Sequence, residues 1–147
     1  ANIPDRKQRV PLYFASMLGN VRVVRMLILG RASVDITDRR KWTPLHTAIQ
    51  QGFIEVAKSL MDALADLNAT TSMGDTALTL ATLERHAGTL ELLLQAAADP
   101  NVAAGEGLTP LHHAAELGLE TILQRLFLAR AHVESRTMEG LTPMYIA

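Results

Sequence analysis

Apolar residues return along this chain at one fixed interval. The block Val10-Pro11-Leu12-Tyr13-Phe14-Ala15 reappears, altered, as Thr43-Pro44-Leu45-His46-Thr47-Ala48, Thr76-Ala77-Leu78-Thr79-Leu80-Ala81, Thr109-Pro110-Leu111-His112-His113-Ala114 and Thr142-Pro143-Met144-Tyr145-Ile146-Ala147. The blocks open at residues 10, 43, 76, 109 and 142, so every step is 33 residues, with no insertion or deletion. That regularity predicts units stacked in one dimension, each burying its apolar face on its neighbours.

Within a block, Thr43 suits an N-cap, because its hydroxyl can accept from free backbone N–H groups. Pro44 suits the first helical position, where no N–H is needed, and Leu45 and Ala48 begin an apolar face at helical spacing. The first unit therefore reads as a helix over about Pro11–Met17 and a turn at Gly19-Asn20. A second helix follows, with Val21, Val24, Leu27 and Ile28 on one face, and then a returning strand at Val34-Asp35-Ile36. In the second unit Gly52 closes the first helix, and Ile54, Val56, Ala57, Leu60, Met61 and Leu64 are the apolar positions of the second. In the third, the run Leu90 to Ala97 is apolar enough to predict burial on several sides.

The motif Thr-Pro-Leu-His-x-Ala at Thr43–Ala48 and Thr109–Ala114, on a period of 33, resembles the signature of the ankyrin repeat family. The resemblance implies an all-α solenoid with projecting β-hairpins. It divides the chain into four near-complete repeats, about 6–38, 39–71, 72–104 and 105–137, with partial repeats at 1–5 and 138–147, all in one domain. Neither end has the polar character of a capping repeat, so the expectation is an excerpt of a longer array. The third repeat departs most from the family pattern, with Ala77 for the proline, Thr79 for the histidine and Arg85 for the turn glycine. Where the family usually places a glycine after the second helix, this chain has Arg31, Leu64, Ala97 and Arg130.

Composition narrows the chemistry. There are no cysteines, which excludes disulfides and thiolate metal sites. No apolar run reaches the length of a membrane-spanning helix. Net charge is −1, but residues 1–42 carry nine basic and three acidic side chains, and the remainder five basic and twelve acidic. That lengthwise polarity bears on partners rather than on fold. No phosphate-binding glycine loop, nucleophile elbow or paired-histidine zinc helix is present, so the reading is non-catalytic, with no cofactor. His112, His113 and Glu116 lie close in sequence, but adjacent helical side chains point about 100° apart, which argues against a metal pair. By resemblance, His46 and His112 are structural histidines that bond neighbouring hairpin backbone. His86 and His132 are expected at the surface. Asn68 and Asn101 suit turn chemistry, and the resemblance adds a reading as modification sites by hydroxylation.

The resemblance places the ligand-facing surface on hairpin tips and the exposed side of first helices. By phase the tips contain Arg6, Lys7 and Arg9, then Arg39, Arg40 and Trp42, then Ser72, Met73 and Asp75, then Glu106 and Leu108, then Met138, Glu139 and Leu141, and the first helices add Met17, Leu18, Gln50, Gln51, Leu83, Glu84, Glu116 and Leu117. Trp42, the only tryptophan, is taken to have no core role among Arg39, Arg40 and Lys41; it either acts as an anchor, since Trp and Arg dominate interface hot spots, or packs along the next hairpin. Met17, Leu18, Leu83 and Leu117 either extend an apolar contact surface or bury against one another. The expected function is a monomeric, intracellular (cytoplasmic) protein–protein interaction module, whose partner presents an acidic segment to the N-terminal repeats. Nucleic acid is disfavoured by the acidic second half. The rival readings are a substrate-recruiting or regulatory segment of a larger enzyme or channel, and a designed repeat scaffold without a natural partner.

Overall fold

The computed structural model describes residues 10–147. The predicted strand at 1–5 and the candidate residues Arg6, Lys7 and Arg9 lie outside the described residues. First helices are α1 (Pro11–Met17), α3 (Pro44–Gln50), α5 (Ala77–Leu83), α7 (Pro110–Glu116) and α9 (Pro143–Ile146). Second helices are α2 (Val21–Leu29), α4 (Ile54–Asp62), α6 (Ala87–Gln95) and α8 (Glu120–Leu128). Each full pair packs within its repeat; α1, α3, α5, α7 and α9 form one continuous row, and among the second helices α2 packs on α4 and α6 on α8.

Both rows follow from residues in phase. Leu12, Leu45, Leu78 and Leu111 are buried, as are Ala15, Ala48, Ala81 and Ala114 one turn on, where a methyl group lets neighbouring helices approach. Val24, Ala57 and Leu90 in the second helices, with Leu60, Leu93 and Leu126, continue the same core. It is a slab running through the stack, as expected where each unit cannot bury its face alone. In α6, Leu90 and Leu93 are fully buried while Leu92 and Leu94 are half-buried.

Threonine side chains cap α3 and α5. Thr43 Oγ1 accepts the His46 N–H and Thr76 Oγ1 the Thr79 N–H, both at 3.2 Å. Second helices end where backbone N–H groups turn back: Leu64 N–H donates to Met61 O (2.9 Å) and Ala65 N–H to Leu60 O (3.1 Å), a Schellman closure. The same pair of bonds recurs at Arg31/Ala32, Ala97/Ala98 and Arg130/Ala131. The four residues that stand in for glycine adopt the left-handed conformation that closure demands, with φ of 57° at Arg31, 62° at Leu64, 66° at Ala97 and 61° at Arg130. Arg85, in place of the first-helix turn glycine, does likewise at φ 59°.

The projecting segments differ from the expectation. Among the described residues none forms a β-strand. Each projection is a tight loop whose first residue makes two backbone bonds: it donates across the loop (Asp38 N–H to Trp42 O, Thr71 to Asp75, Ala104 to Leu108, Thr137 to Leu141) and accepts the N–H of Lys41, Gly74, Gly107 or Gly140. At the first two tips the reason is local. Asp38 Oδ1 accepts the N–H groups of Arg40 and Trp42, and Thr71 Oγ1 those of Met73 and Asp75. Side-chain oxygens thereby take donors that a strand ladder would need.

Candidate docking surface

The loop tips are fastened to one another. Ser72 N–H donates to Arg40 O at 2.9 Å, Gly105 N–H to Met73 O at 3.0 Å, and Met138 N–H to Glu106 O at 2.8 Å. All six residues keep the 33-residue phase, so the tips form one continuous ridge rather than four independent fingers. A second set of bonds runs beneath them. Asp66 N–H donates to Asp35 Oδ1 (2.8 Å), Asp99 N–H to Asn68 Oδ1 (2.9 Å) and His132 N–H to Asn101 Oδ1 (2.7 Å). Asn68 and Asn101 do use turn chemistry, their own N–H groups donating to Asp66 and Asp99 carboxylates, but their carboxamides also tie repeat to repeat.

Histidines add a third set. Thr43 N–H donates to His46 Nδ1 at 3.1 Å, which leaves the Nε2 proton to donate at 3.0 Å to Ala69 O, in the segment that leads into the next repeat. Burial pushes the His46 pKa down to about 4, against smaller raising effects from the Ala69 bond, Asp66 and Asp38. His112 repeats the arrangement with Thr109 N–H (3.1 Å), but its Nε2 reaches Leu141 O (3.2 Å), further along the next loop. Both ring nitrogens of His112 are therefore engaged within the protein, and among the described residues no group of three His, Asp or Glu side chains is placed to hold a metal ion. Thr79, in place of the family histidine, bonds only Thr76 (3.1 Å), so the third repeat lacks this link. His113 is half-buried on the same helix, its pKa lowered by burial and opposed by Glu116 and Asp75. His86, expected at the surface, is half-buried, and its Nδ1 bonds Ile49 O at 3.2 Å. Its proximity to Gly52 is the signal for that contact: a Cβ there would meet the imidazole at 3.2 Å.

The candidate residues divide by exposure. Arg39, Arg40, Met73 and Glu106 project from the ridge, while Asp75 and Leu108 at loop ends are half-buried. Leu18, Leu83 and Glu84 are exposed at first-helix ends, and Met17 and Leu117 are half-buried. Trp42 corrects the sequence reading: it does have a core role. Its ring packs against the edge of the slab, edge-on to His46 with ring centroids 6.1 Å apart, and carries the Arg40 guanidinium 5.8 Å above its face. The loop bond from Trp42 N–H to Asp38 fixes the backbone at this residue, and the indole lies against His46 of α3. Met138, Glu139 and Leu141 lie at the fourth tip, where Met138 is 84% exposed, beside a hollow of about 330 Å³ lined by Glu106, Leu108, Thr137, Met138, Glu139, Leu141 and Ile146, which sequence reading did not foresee. The 33-residue phase of Met138, Glu139 and Leu141 with Gly105, Glu106 and Leu108 is what assigns them to this surface, but phase carries no sign of a hollow between two tips.

No described helix is long and apolar enough to cross a membrane. Among curated proteins no relative matches. The family model for ankyrin repeats, in three copies, matches residues 12–104, and the single ankyrin repeat model matches residues 106–138. Such repeats are in general protein–protein interaction modules. With helices, caps and tip bonds all in one phase, and with those matches spanning most of its length, the chain belongs to the ankyrin repeat family.

Proposed function

We propose that the chain is a non-catalytic module that binds a protein partner across the ridge of loop tips and the adjoining first-helix ends. The observation that carries this is the ridge itself: three in-phase backbone bonds fix its tips, and Arg39, Arg40, Met73, Glu106 and Met138 stand on it exposed to solvent. A preorganised surface loses little conformational freedom on association, which favours binding without rearrangement. Arg39 and Arg40 have no ion pair among the described residues, so an acidic segment of the partner would meet them unneutralised. Arg40 on the face of Trp42 supplies the aromatic–cation pairing common at hot spots. The module acts as a monomer in the cytoplasm in this reading.

The test uses the protein as bait against cell lysate beside an Arg39→Glu, Arg40→Glu variant, with retained proteins identified by mass spectrometry. Both side chains are exposed, so the variant keeps the fold, which circular dichroism checks. A protein held by the parent and lost by the variant is the expected result. Equal retention by both moves the binding site off the ridge.

A further inference from the structure

Charge is sorted along the ridge. The first tip carries Arg39, Arg40 and Lys41, the second Ser72, Met73 and Gly74, the third Glu106 between glycines, and the fourth Met138 and Glu139. Asp38, the acid nearest the basic tip, is occupied by the N–H groups of Arg40 and Trp42. Arg136, the cation nearest the acidic tips, folds its guanidinium onto Gly140 O. The ridge thus runs from cationic through apolar, where Met73 is 67% exposed, to anionic. The tip-to-tip bonds hold these three zones in fixed order.

At the anionic end lies the hollow described above. Glu106 and Glu139 stand at it, and Leu108, Met138, Leu141 and Ile146 provide apolar surface. That combination fits one kind of side chain: a long aliphatic stem ending in a cation, with the stem on the apolar lining and the charge on the carboxylates. Neither glutamate has an ion pair among the described residues.

We propose that the ridge selects an extended partner segment of segregated charge, acidic at the end over Arg39 and Arg40, apolar over Met73, and carrying a lysine or arginine that enters the Glu106–Glu139 hollow. This rests on the ridge being the docking surface. The gain over a merely acidic ligand is register: with opposite charges at its two ends, the ridge accepts a bipolar segment one way round and repels it the other way.

Three labelled peptides of equal length test it by fluorescence anisotropy at low salt: a bipolar one (acidic, apolar, basic), a scramble of the same composition with alternating charges, and one with acidic residues at both ends. The bipolar peptide binds at least about tenfold tighter than either control. A Glu106→Lys, Glu139→Lys variant, substituted at exposed positions, reverses the order and prefers the doubly acidic peptide. If the doubly acidic peptide binds the unaltered protein as tightly as the bipolar one, and Arg39→Glu, Arg40→Glu weakens both, charge sorting is overturned while the ridge remains the docking surface. A bipolar peptide that binds no tighter than its scramble, or not at all, likewise overturns charge sorting. Binding of all three that ignores Arg39→Glu, Arg40→Glu overturns the ridge as well.

Discussion

The carboxamide oxygen of Asn68 accepts the backbone N–H of Asp99 at 2.9 Å, across the boundary between two repeats. Asp35 and Asn101 do the same one repeat earlier and one later. The acceptor is what matters, since aspartate serves at one position and asparagine at two. Asn68→Ala should therefore cost about 1 kcal/mol, the usual net worth of one hydrogen bond at a partly solvated site, whereas Asn68→Asp should be near neutral at pH 7. Urea denaturation followed by circular dichroism separates the two. Equal loss in both variants would place the contribution in the amide group rather than in the acceptor oxygen.

Leu64 holds a left-handed conformation (φ 62°) while 87% exposed, so its side chain strains the backbone and buries almost nothing in return. Replacing it with glycine keeps the Schellman closure and removes the Cβ penalty, about 1 kcal/mol. Leu64→Gly should raise the thermal midpoint. A lower midpoint would mean that the entropy lost by restricting glycine exceeds the strain relieved.

His46 gives the stack a pH dependence with a definite sign. Its folded pKa, about 4, lies below the ordinary 6.5 because burial disfavours the imidazolium. Between those values the unfolded chain binds more protons than the folded one, so stability rises with pH across the window and falls as pH drops from 6.5 toward 4. The full shift corresponds to about 3 kcal/mol. His113, also lowered by burial, acts in the same direction. Protonating Nδ1 also sets a donor against the Thr43 N–H. His46→Gln should be less stable than the parent at pH 7, with the difference shrinking as pH falls from 6.5 to 4. A difference that stays constant over that window would show that His46 titrates normally.

Much of this molecule is legible before any coordinates. The 33-residue phase places α1 at Pro11–Met17. It also identifies Arg31, Leu64, Ala97 and Arg130 as residues standing where glycine is usual, and all four are left-handed. Local chemistry suffices there, because caps and closures depend on residues within a few positions. What sequence inspection does not supply is the direction of side chains at loop tips. Trp42 looks like a free anchor among cations, yet its ring lies edge-on to His46 at the margin of the core. His86 looks like a surface residue, yet the neighbouring repeat presents the Ile49 carbonyl to it. Val34-Asp35-Ile36 has strand character, yet the Asp35 carboxylate binds Asp66 N–H in the next repeat. In each case the deciding contact lies across a turn or a repeat boundary, where periodicity sets the spacing but not the hydrogen-bond partner.

Gly74 and Lys41 occupy the same place in successive tips, and both have positive φ, 88° and 58°. At Gly74 a Cβ would stand 2.9 Å from Gly105 N and 3.0 Å from Ala104 Cα, both backbone atoms of the next tip. Nothing flexible can yield there, so Gly74→Ala must push the tips apart and weaken the bond from Gly105 N–H to Met73 O. Strain of this kind costs about 1–3 kcal/mol. At Lys41 the reverse change, to glycine, relieves an exposed left-handed residue and should stabilise by up to about 1 kcal/mol. Amide hydrogen exchange at Gly105 tests the link between the tips: faster exchange in Gly74→Ala than in Lys41→Gly and the parent is expected. If the ridge docks a partner as a rigid row, Gly74→Ala should also weaken that docking, although it removes no side chain that could touch the partner. An unchanged Gly105 exchange rate in a Gly74→Ala protein of lowered stability would mean that the strain is absorbed within the second tip and the row is not rigid.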